Sequence, residues 1–159
     1  MAIQVCIAGA TGWVGRALVS ALVKDRTFRL VGAVSRTYRE KPLGEIVGIP
    51  NLDMLVSGSV VQALQTKTDV LIDYTGPDAV KGHVLNAVRK GVHVVIGTSG
   101  LTDEDFAEID GLAREYHVGV LAAGNFAISA VLLQKFAEIA SRFISHREII
   151  DYAAAAKID

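Results

Sequence analysis

Ile3-Gln4-Val5-Cys6-Ile7-Ala8, followed at once by Gly9-Ala10-Thr11-Gly12-Trp13-Val14-Gly15, is the stretch that decides the fold. The first six residues form an apolar run that reads as a buried strand. The last two of the second group open Val14-Gly15-Arg16-Ala17-Leu18-Val19-Ser20-Ala21-Leu22-Val23, whose apolar positions recur with helical spacing. A strand, a glycine-rich turn and a helix start together make an anion site. Unpaired N–H groups and the positive end of the helix dipole face outward at one point. In such a unit Gly9 permits the tight turn, Gly12 lets a diphosphate approach the backbone, and Gly15 lets the helix lie close to the strand. A βα turn of this shape can also exist with no ligand. The N-terminal strand–helix context favours nucleotide binding, with Gly9, Ala10, Thr11, Gly12, Trp13 and Val14 around the phosphates.

Composition is consistent with an α/β protein of one core. The chain has 159 residues, 51% of them hydrophobic and 21% charged, and a net charge of −1. That balance gives no electrostatic footprint for nucleic acid or an acidic membrane, so a small-molecule ligand is expected. The lone cysteine, Cys6, excludes an internal disulfide and reads as a small core residue. No signal peptide is visible and no apolar stretch reaches membrane-span length, so a cytoplasmic location is the default expectation.

Strands and helices then alternate. Strands are expected at 29–34, weakly at 53–56, and at 70–74, 93–96 and 118–122, with helices near 59–66, 78–90, 103–116 and 128–142. Thr102-Asp103-Glu104-Asp105 reads as a capping box. The mostly apolar strands suit a parallel sheet covered on both faces, so the pattern predicts a Rossmann-like doubly wound α/β fold. The charged, Gly- and Pro-containing stretch 37–51 is expected to be a mobile loop.

The end of the second strand bears on the choice of dinucleotide. A carboxylate at that point selects NAD, and a basic residue accommodates the 2′-phosphate of NADP. Here Ser35 and Arg36 stand there. Arg36 can grip a phosphate through two parallel hydrogen bonds, so NADP(H) is favoured over NAD(H); the alternative is an arginine that only solvates a surface loop. Three later loops leave the carboxyl ends of strands, where ligands bind in such sheets. They are Tyr74-Thr75-Gly76-Pro77, Gly97-Thr98-Ser99-Gly100 and Ala123-Gly124-Asn125-Phe126. Each offers small residues with hydroxyls or amides, which suits a nicotinamide carboxamide.

Taken in order, Gly-Ala-Thr-Gly-Trp-Val-Gly at 9–15, Ile-Asp-Tyr-Thr-Gly-Pro at 72–77, Val-Ile-Gly-Thr-Ser-Gly at 95–100, Gly-Asn-Phe-Ala-Ile-Ser at 124–129 and Glu-Ile-Ile-Asp-Tyr at 148–152, with Lys157 and Asp159, resemble the 4-hydroxy-tetrahydrodipicolinate reductases, also called dihydrodipicolinate reductases. The resemblance runs along the whole chain. It implies an NAD(P)H-dependent reductase of the lysine and diaminopimelate pathway that reduces a cyclic, dicarboxylated imine to tetrahydrodipicolinate. It places Gly97, Thr98 and Ser99, with Ala123, Gly124, Asn125 and Phe126, beside the nicotinamide and the substrate. Lys157 matches the lysine that neutralises a substrate carboxylate and polarises the imine, with Ser99 also at the substrate. The resemblance also implies a homotetramer. Residues 1–127 are then the NADP(H)-binding domain, and 128–159 begin a truncated α+β substrate domain whose first strand is 146–152.

The chain departs from that family's pattern at several places. The family's His-His pair, whose first member is the proton donor, is replaced by Ala153 and Ala154 in an alanine run to Ala156. A methyl group donates no proton. Trp13 stands where the family has an arginine in the phosphate loop, a loss that Arg16 either compensates or leaves standing as it decorates the helix. The family continues with Ala-Pro-Ser-Gly-Thr where this sequence stops, so the chain reads as the cofactor half of a protein of about 240 residues.

Other chemistry finds little support. His83 and His117 are expected on helix surfaces, with His93 and His146 at strand starts, and none has ligand partners at metal spacing. Ser99 and Ser129 lack a histidine base, which disfavours a hydrolase. Asp103, Glu104 and Asp105 read as first-turn helix charges. Two alternatives stay open: a non-catalytic NADP(H)-binding module or redox sensor, and another oxidoreductase of short-chain-dehydrogenase type. The second would use Tyr152 and Lys157 at unfavourable spacing.

Overall fold

Alternate residues of the first strand, β1 (Ile3–Ala8), point to opposite sides of a sheet, and each side meets its own set of helices. In the computed structural model, residues 1–123 and 126–150 are described. They divide into a first unit, Met1–Ala122, and a second beginning at Ala123.

The first unit follows β1 with α1 (Trp13–Leu22), β2 (Phe28–Val34), α2 (Leu43–Val47), α3 (Val60–Ala63), β3 (Val70–Asp73), α4 (Pro77–Arg89), β4 (His93–Ile96), α5 (Asp103–Glu115) and β5 (Val120–Ala122). The five strands lie in the order β2-β1-β3-β4-β5, and every neighbouring pair is parallel. Val5 and Ile7 join Ala33 in one cluster with Val19 and Leu22 of α1, Leu43 of α2, and Val56. Cys6 and Ala8 join Leu71, Val94 and Ile96 in another, with α3, α4 and α5 contributing residues such as Val60, Val84, Ala87 and Ile109. This is the doubly wound arrangement the apolar strands predict. The direction in which successive strands are added to the sheet reverses between β1 and β3. That switch point opens a crevice beyond the strands' carboxyl ends, where such sheets bind ligands.

Helix boundaries follow local chemistry. Gly76 is the N-cap of α4 and Pro77 its first residue, where the missing N–H costs nothing. Val80, Val84, Ala87 and Val88 then form its buried stripe. The expected capping box of α5 is present: Thr102 Oγ1 accepts from the Asp105 N–H at 3.2 Å, and the Asp105 carboxylate accepts from the Thr102 N–H at 3.1 Å. Thr102→Ala should therefore cost about 1 kcal/mol of stability, read as a lower denaturation midpoint. No change would mean that the box leaves the helix end unsupported.

Two expectations fail here. The weak strand at 53–56 does not form. Only isolated bridges remain, Val34 with Ser57 and Pro42 with Leu55, and the side chain of Leu55 is exposed. The supposed mobile loop at 37–51 contains α2 instead. Leu43 is fully buried, its N–H donates to the Met54 carbonyl at 2.7 Å, and Gly48 closes the helix in the left-handed region at φ 74°. Gly and Pro in this stretch cap a five-residue helix, too short to show periodicity in sequence.

The second unit, within its described residues, contains α6 (Ile128–Ala140). No residue of α6 is buried, and Ile128, Leu133 and Phe136 are exposed. Residues 146–150 form no strand, contrary to expectation, and 151–152 lie outside the described residues. No helix among the described residues is long and apolar enough to cross a membrane.

Candidate functional site

The turn after β1 is built by close backbone approach. Gly9 has φ +83°, and a Cβ there would lie 2.0 Å from the Tyr74 carbonyl oxygen. A Cβ on Gly15 would lie 2.1 Å from the Gly9 carbonyl oxygen, so α1 sits directly against the turn. Both glycines are required by the protein itself. Gly12 differs: it is the extended N-cap of α1 (φ −75°, ψ 177°), and an added Cβ would meet only the Gly9 oxygen, at 3.4 Å. Nothing in the fold demands glycine at position 12, and the space beside it faces outward. The N–H groups of Trp13 and Val14 open the helix and take no acceptor among the described residues. Ala10 is fully buried beneath this loop, and the Trp13 side chain is 93% exposed.

Arg16 does more than decorate the helix. Its Nε donates to the Thr11 carbonyl at 2.9 Å and its Nη1 to the Ile46 carbonyl, which ties the loop to α2. Thr11 also reaches the end of β2, donating from Oγ1 to Ser35 Oγ at 2.9 Å. Next to Ser35, Arg36 pairs with Asp78 of α4 at 2.8 Å, both side chains being largely exposed. The Arg36 guanidinium, through its hydrogen bond and its charge, holds the Asp78 carboxyl below its ordinary value.

The loops after β3 and β4 meet over one carboxylate. Asp73, the last residue of β3, has a completely buried side chain. Its Oδ1 accepts from the Thr75 N–H at 3.1 Å, Thr75 Oγ1 at 2.7 Å and Thr98 Oγ1 at 2.6 Å. Its Oδ2 lies 2.8 Å from His83 Nδ1, which therefore carries a proton. Thr98 Oγ1 in turn accepts from the Thr75 N–H at 2.8 Å. Burial alone would raise the Asp73 carboxyl. Hydrogen bonds from His83, Thr98 and Thr75 outweigh it and hold the group below its ordinary value. Burial, aided by the Asp73 charge, pushes the Cys6 thiol up to about 12, which leaves it inert as a nucleophile.

A depressed carboxyl contributes stability that is complete above its unfolded value, about 3.9, and is lost as pH falls toward the folded one. The urea midpoint should therefore fall as pH drops below about 4, and Asp73→Asn should show a smaller part of that fall. Parallel pH curves for both proteins would show that the network contributes nothing.

Of the expected site residues, the first unit brings Gly9–Val14, Ser35, Arg36, Tyr74, Thr75, Gly97, Thr98 and Ser99 to the carboxyl ends of β1, β2, β3 and β4. Gly97 is accounted for by the protein: a Cβ there would lie 2.1 Å from the Tyr74 ring. Ala123 and the partly exposed Phe126 belong to the second unit. Gly124, Asn125 and Lys157 lie outside the described residues. The expectation that His83 is a surface residue is wrong. It lies three residues after Val80 and four before Ala87 of the buried stripe, a spacing that places it on the inward flank of α4. Asp73 is not among the expected site residues; its signal in the sequence is a carboxylate ending the apolar run Val70-Leu71-Ile72.

Residues 3–126 match the family described as "Dihydrodipicolinate reductase, N-terminus". The 4-hydroxy-tetrahydrodipicolinate reductase of Geobacillus kaustophilus strain HTA426 is 37% identical over 160 residues, covering 100% of this chain and 60% of that protein. The Bacillus cereus strain AH187 protein of the same name is 36% identical over 158 residues, with 99% and 59% coverage. The chain thus spans about 60% of the length of the curated relatives it matches. Among solved structures, the dipicolinate-bound dihydrodipicolinate reductase from Paenisporosarcina sp. TG-14 superposes with a TM-score of 0.72 at 32% identity, covering 90% of this chain and 55% of that one. Biliverdin reductase from Synechocystis sp. PCC 6803, in complex with biliverdin and NADP+, gives 0.63 at 19% identity, with 76% and 37% coverage, a likeness of fold alone.

Proposed function

From the premise that this chain belongs to the dihydrodipicolinate reductase family, we propose that it forms the dinucleotide-binding part of a 4-hydroxy-tetrahydrodipicolinate reductase. One observation carries the reading: the open space beside Gly12, at the start of α1 and at the β1/β3 switch point. Unpaired N–H groups on Trp13 and Val14 together with the helix dipole suit a diphosphate there, with Gly9, Ala10 and Thr11 shaping the loop. When bound, the reduced nicotinamide supplies the hydride that the cyclic imine accepts.

The chain's own residues bind and orient. Arg36 and Ser35 reach the adenine ribose and favour NADP(H), with NAD(H) the weaker ligand. Tyr74, Thr75, Gly97, Thr98 and Ser99 border the nicotinamide, joined by Ala123, Gly124, Asn125 and Phe126. Ser99 and Lys157 meet the substrate, where a cation offsets a substrate carboxylate and polarises the imine, stabilising the negative charge that develops on its nitrogen as the carbon accepts hydride. Residues 1–127 carry the cofactor function and 128–159 begin the substrate domain. The exposed apolar side chains of α6 support burial against the remainder of a longer protein and its neighbours in a tetramer.

A non-catalytic NADP(H)-binding module is the second reading, favoured by Ala153 and Ala154 at the proton-donor positions. Loss of a general acid costs about 10²–10⁴ in rate. Imine-dependent oxidation of NADPH by the protein separates the two. Turnover supports the reductase, whereas cofactor binding without turnover supports the module.

A further inference from the structure

Resting on the nicotinamide reading above, we infer that Asp73 is a positioning residue that fixes the hydroxyls of Thr75 and Thr98 as hydrogen-bond acceptors, so that together they read the amide N–H2 of the cofactor ring. A threonine hydroxyl has one proton and two lone pairs. Thr75 Oγ1 commits its proton to Asp73 Oδ1 at 2.7 Å, and Thr98 Oγ1 commits its own to the same oxygen at 2.6 Å. The Thr98 contact to the Asp73 carbonyl, at 3.3 Å, is the longer and weaker option for that proton. One Thr98 lone pair is used by the Thr75 N–H. What remains on the two hydroxyls is lone pairs alone: two on Thr75 and one on Thr98.

Freely rotating hydroxyls would accept or donate as a ligand required. These cannot, because the carboxylate that holds their protons has no slack. Its Oδ2 faces His83 Nδ1 at 2.8 Å and its side chain is fully buried, and the Asp73 carbonyl, 3.3 Å from Thr98 Oγ1, is the poorer acceptor. The same carboxylate joins the loop after β3 to the loop after β4, so the two acceptors are held as a pair. Both threonines are half-buried and follow the carboxyl ends of β3 and β4. A carboxamide brings two N–H donors to such a pair, a methyl ketone brings none, and a carboxylate brings further lone pairs. Unpaired acceptors in a partly buried site are penalised more than paired ones gain.

The test compares binding of oxidised NADP with its 3-acetylpyridine analogue, in which a methyl group replaces the amide nitrogen. The chain should bind the analogue about tenfold more weakly. Asp73→Ala should bring the two affinities to within about twofold of each other. Alanine is chosen because an asparagine oxygen could still take both threonine protons. Equal affinities in the native chain, or a preference that survives Asp73→Ala, would overturn the inference and leave the dinucleotide reading intact. Should Asp73→Ala not fold, Thr75→Val and Thr98→Val decide: each should weaken NADP binding without weakening that of the analogue, and equal loss for both ligands would overturn it. Failure of the native chain to bind either dinucleotide would overturn the dinucleotide reading itself and this inference with it.

Discussion

Gly12→Val should abolish binding of NADPH and NADH alike, by at least about 100-fold, and leave the fold in place. The two halves of this expectation have separate causes. Folding is spared because Gly12 sits at φ −75° and ψ 177°, a conformation any residue adopts, and because an added Cβ meets only the Gly9 oxygen at 3.4 Å. Valine is a poorer N-cap than glycine, a modest cost to α1. Binding is lost because the branched side chain fills the space next to the N–H groups of Trp13 and Val14. Charge-assisted hydrogen bonds to phosphate contribute about 1.5–3 kcal/mol each, so displacing a diphosphate from two of them accounts for the stated loss. The contrast with Gly9 and Gly15 sharpens the test. Substitution at either forces a side chain into backbone at about 2 Å, so loss of binding there would report damage to the turn. Calorimetric titration beside a melting curve reads both halves. Retained affinity in a folded Gly12→Val protein would mean that the diphosphate lies elsewhere.

Arg36→Ala should weaken NADPH by about 10- to 100-fold and NADH by less than about twofold. The guanidinium stands beyond the end of β2 next to Ser35, where an added ribose phosphate is read. In this structure it is held by Asp78 at 2.8 Å, and a phosphate must compete with that carboxylate. Both groups are exposed, so the pair is screened and easily exchanged. Asp78→Asn should therefore move the other way, raising NADPH affinity and sparing NADH. Equal losses for both cofactors in Arg36→Ala would show that the arginine does not read the 2′-phosphate. No effect of Asp78→Asn would show that the ion pair does not compete.

The parts of the molecule legible in sequence are those with strong local punctuation. The apolar run of β1 breaking at Gly9, the Gly76-Pro77 start of α4 and the Thr102–Asp105 capping box each state their geometry within a few residues. Periodicity failed where elements were too short to repeat. The five residues of α2 read as loop in sequence, and the stretch around Leu55 reads as a strand but pairs through single bridges. The glycine-rich turn after β1 is legible because its close backbone approaches are local. The Asp73 network was not, because it joins residues 10 and 25 positions apart in sequence. Only the sheet register, which aligns Asp73 with Ala8 and Ile96, brings Thr98 to Asp73. The inward flank of α4 adds His83. Arg16 shows the limit of charge as a clue: a cation beside a candidate phosphate loop donates to two backbone carbonyls.

A crystal structure of this chain with NADPH bound tests the account most directly. The diphosphate is expected beside Gly12, within hydrogen-bond reach of the Trp13 and Val14 amides, and the nicotinamide amide against Thr75 and Thr98. A crevice closed by side chains between β1 and β3, with the dinucleotide seated anywhere else, would contradict it.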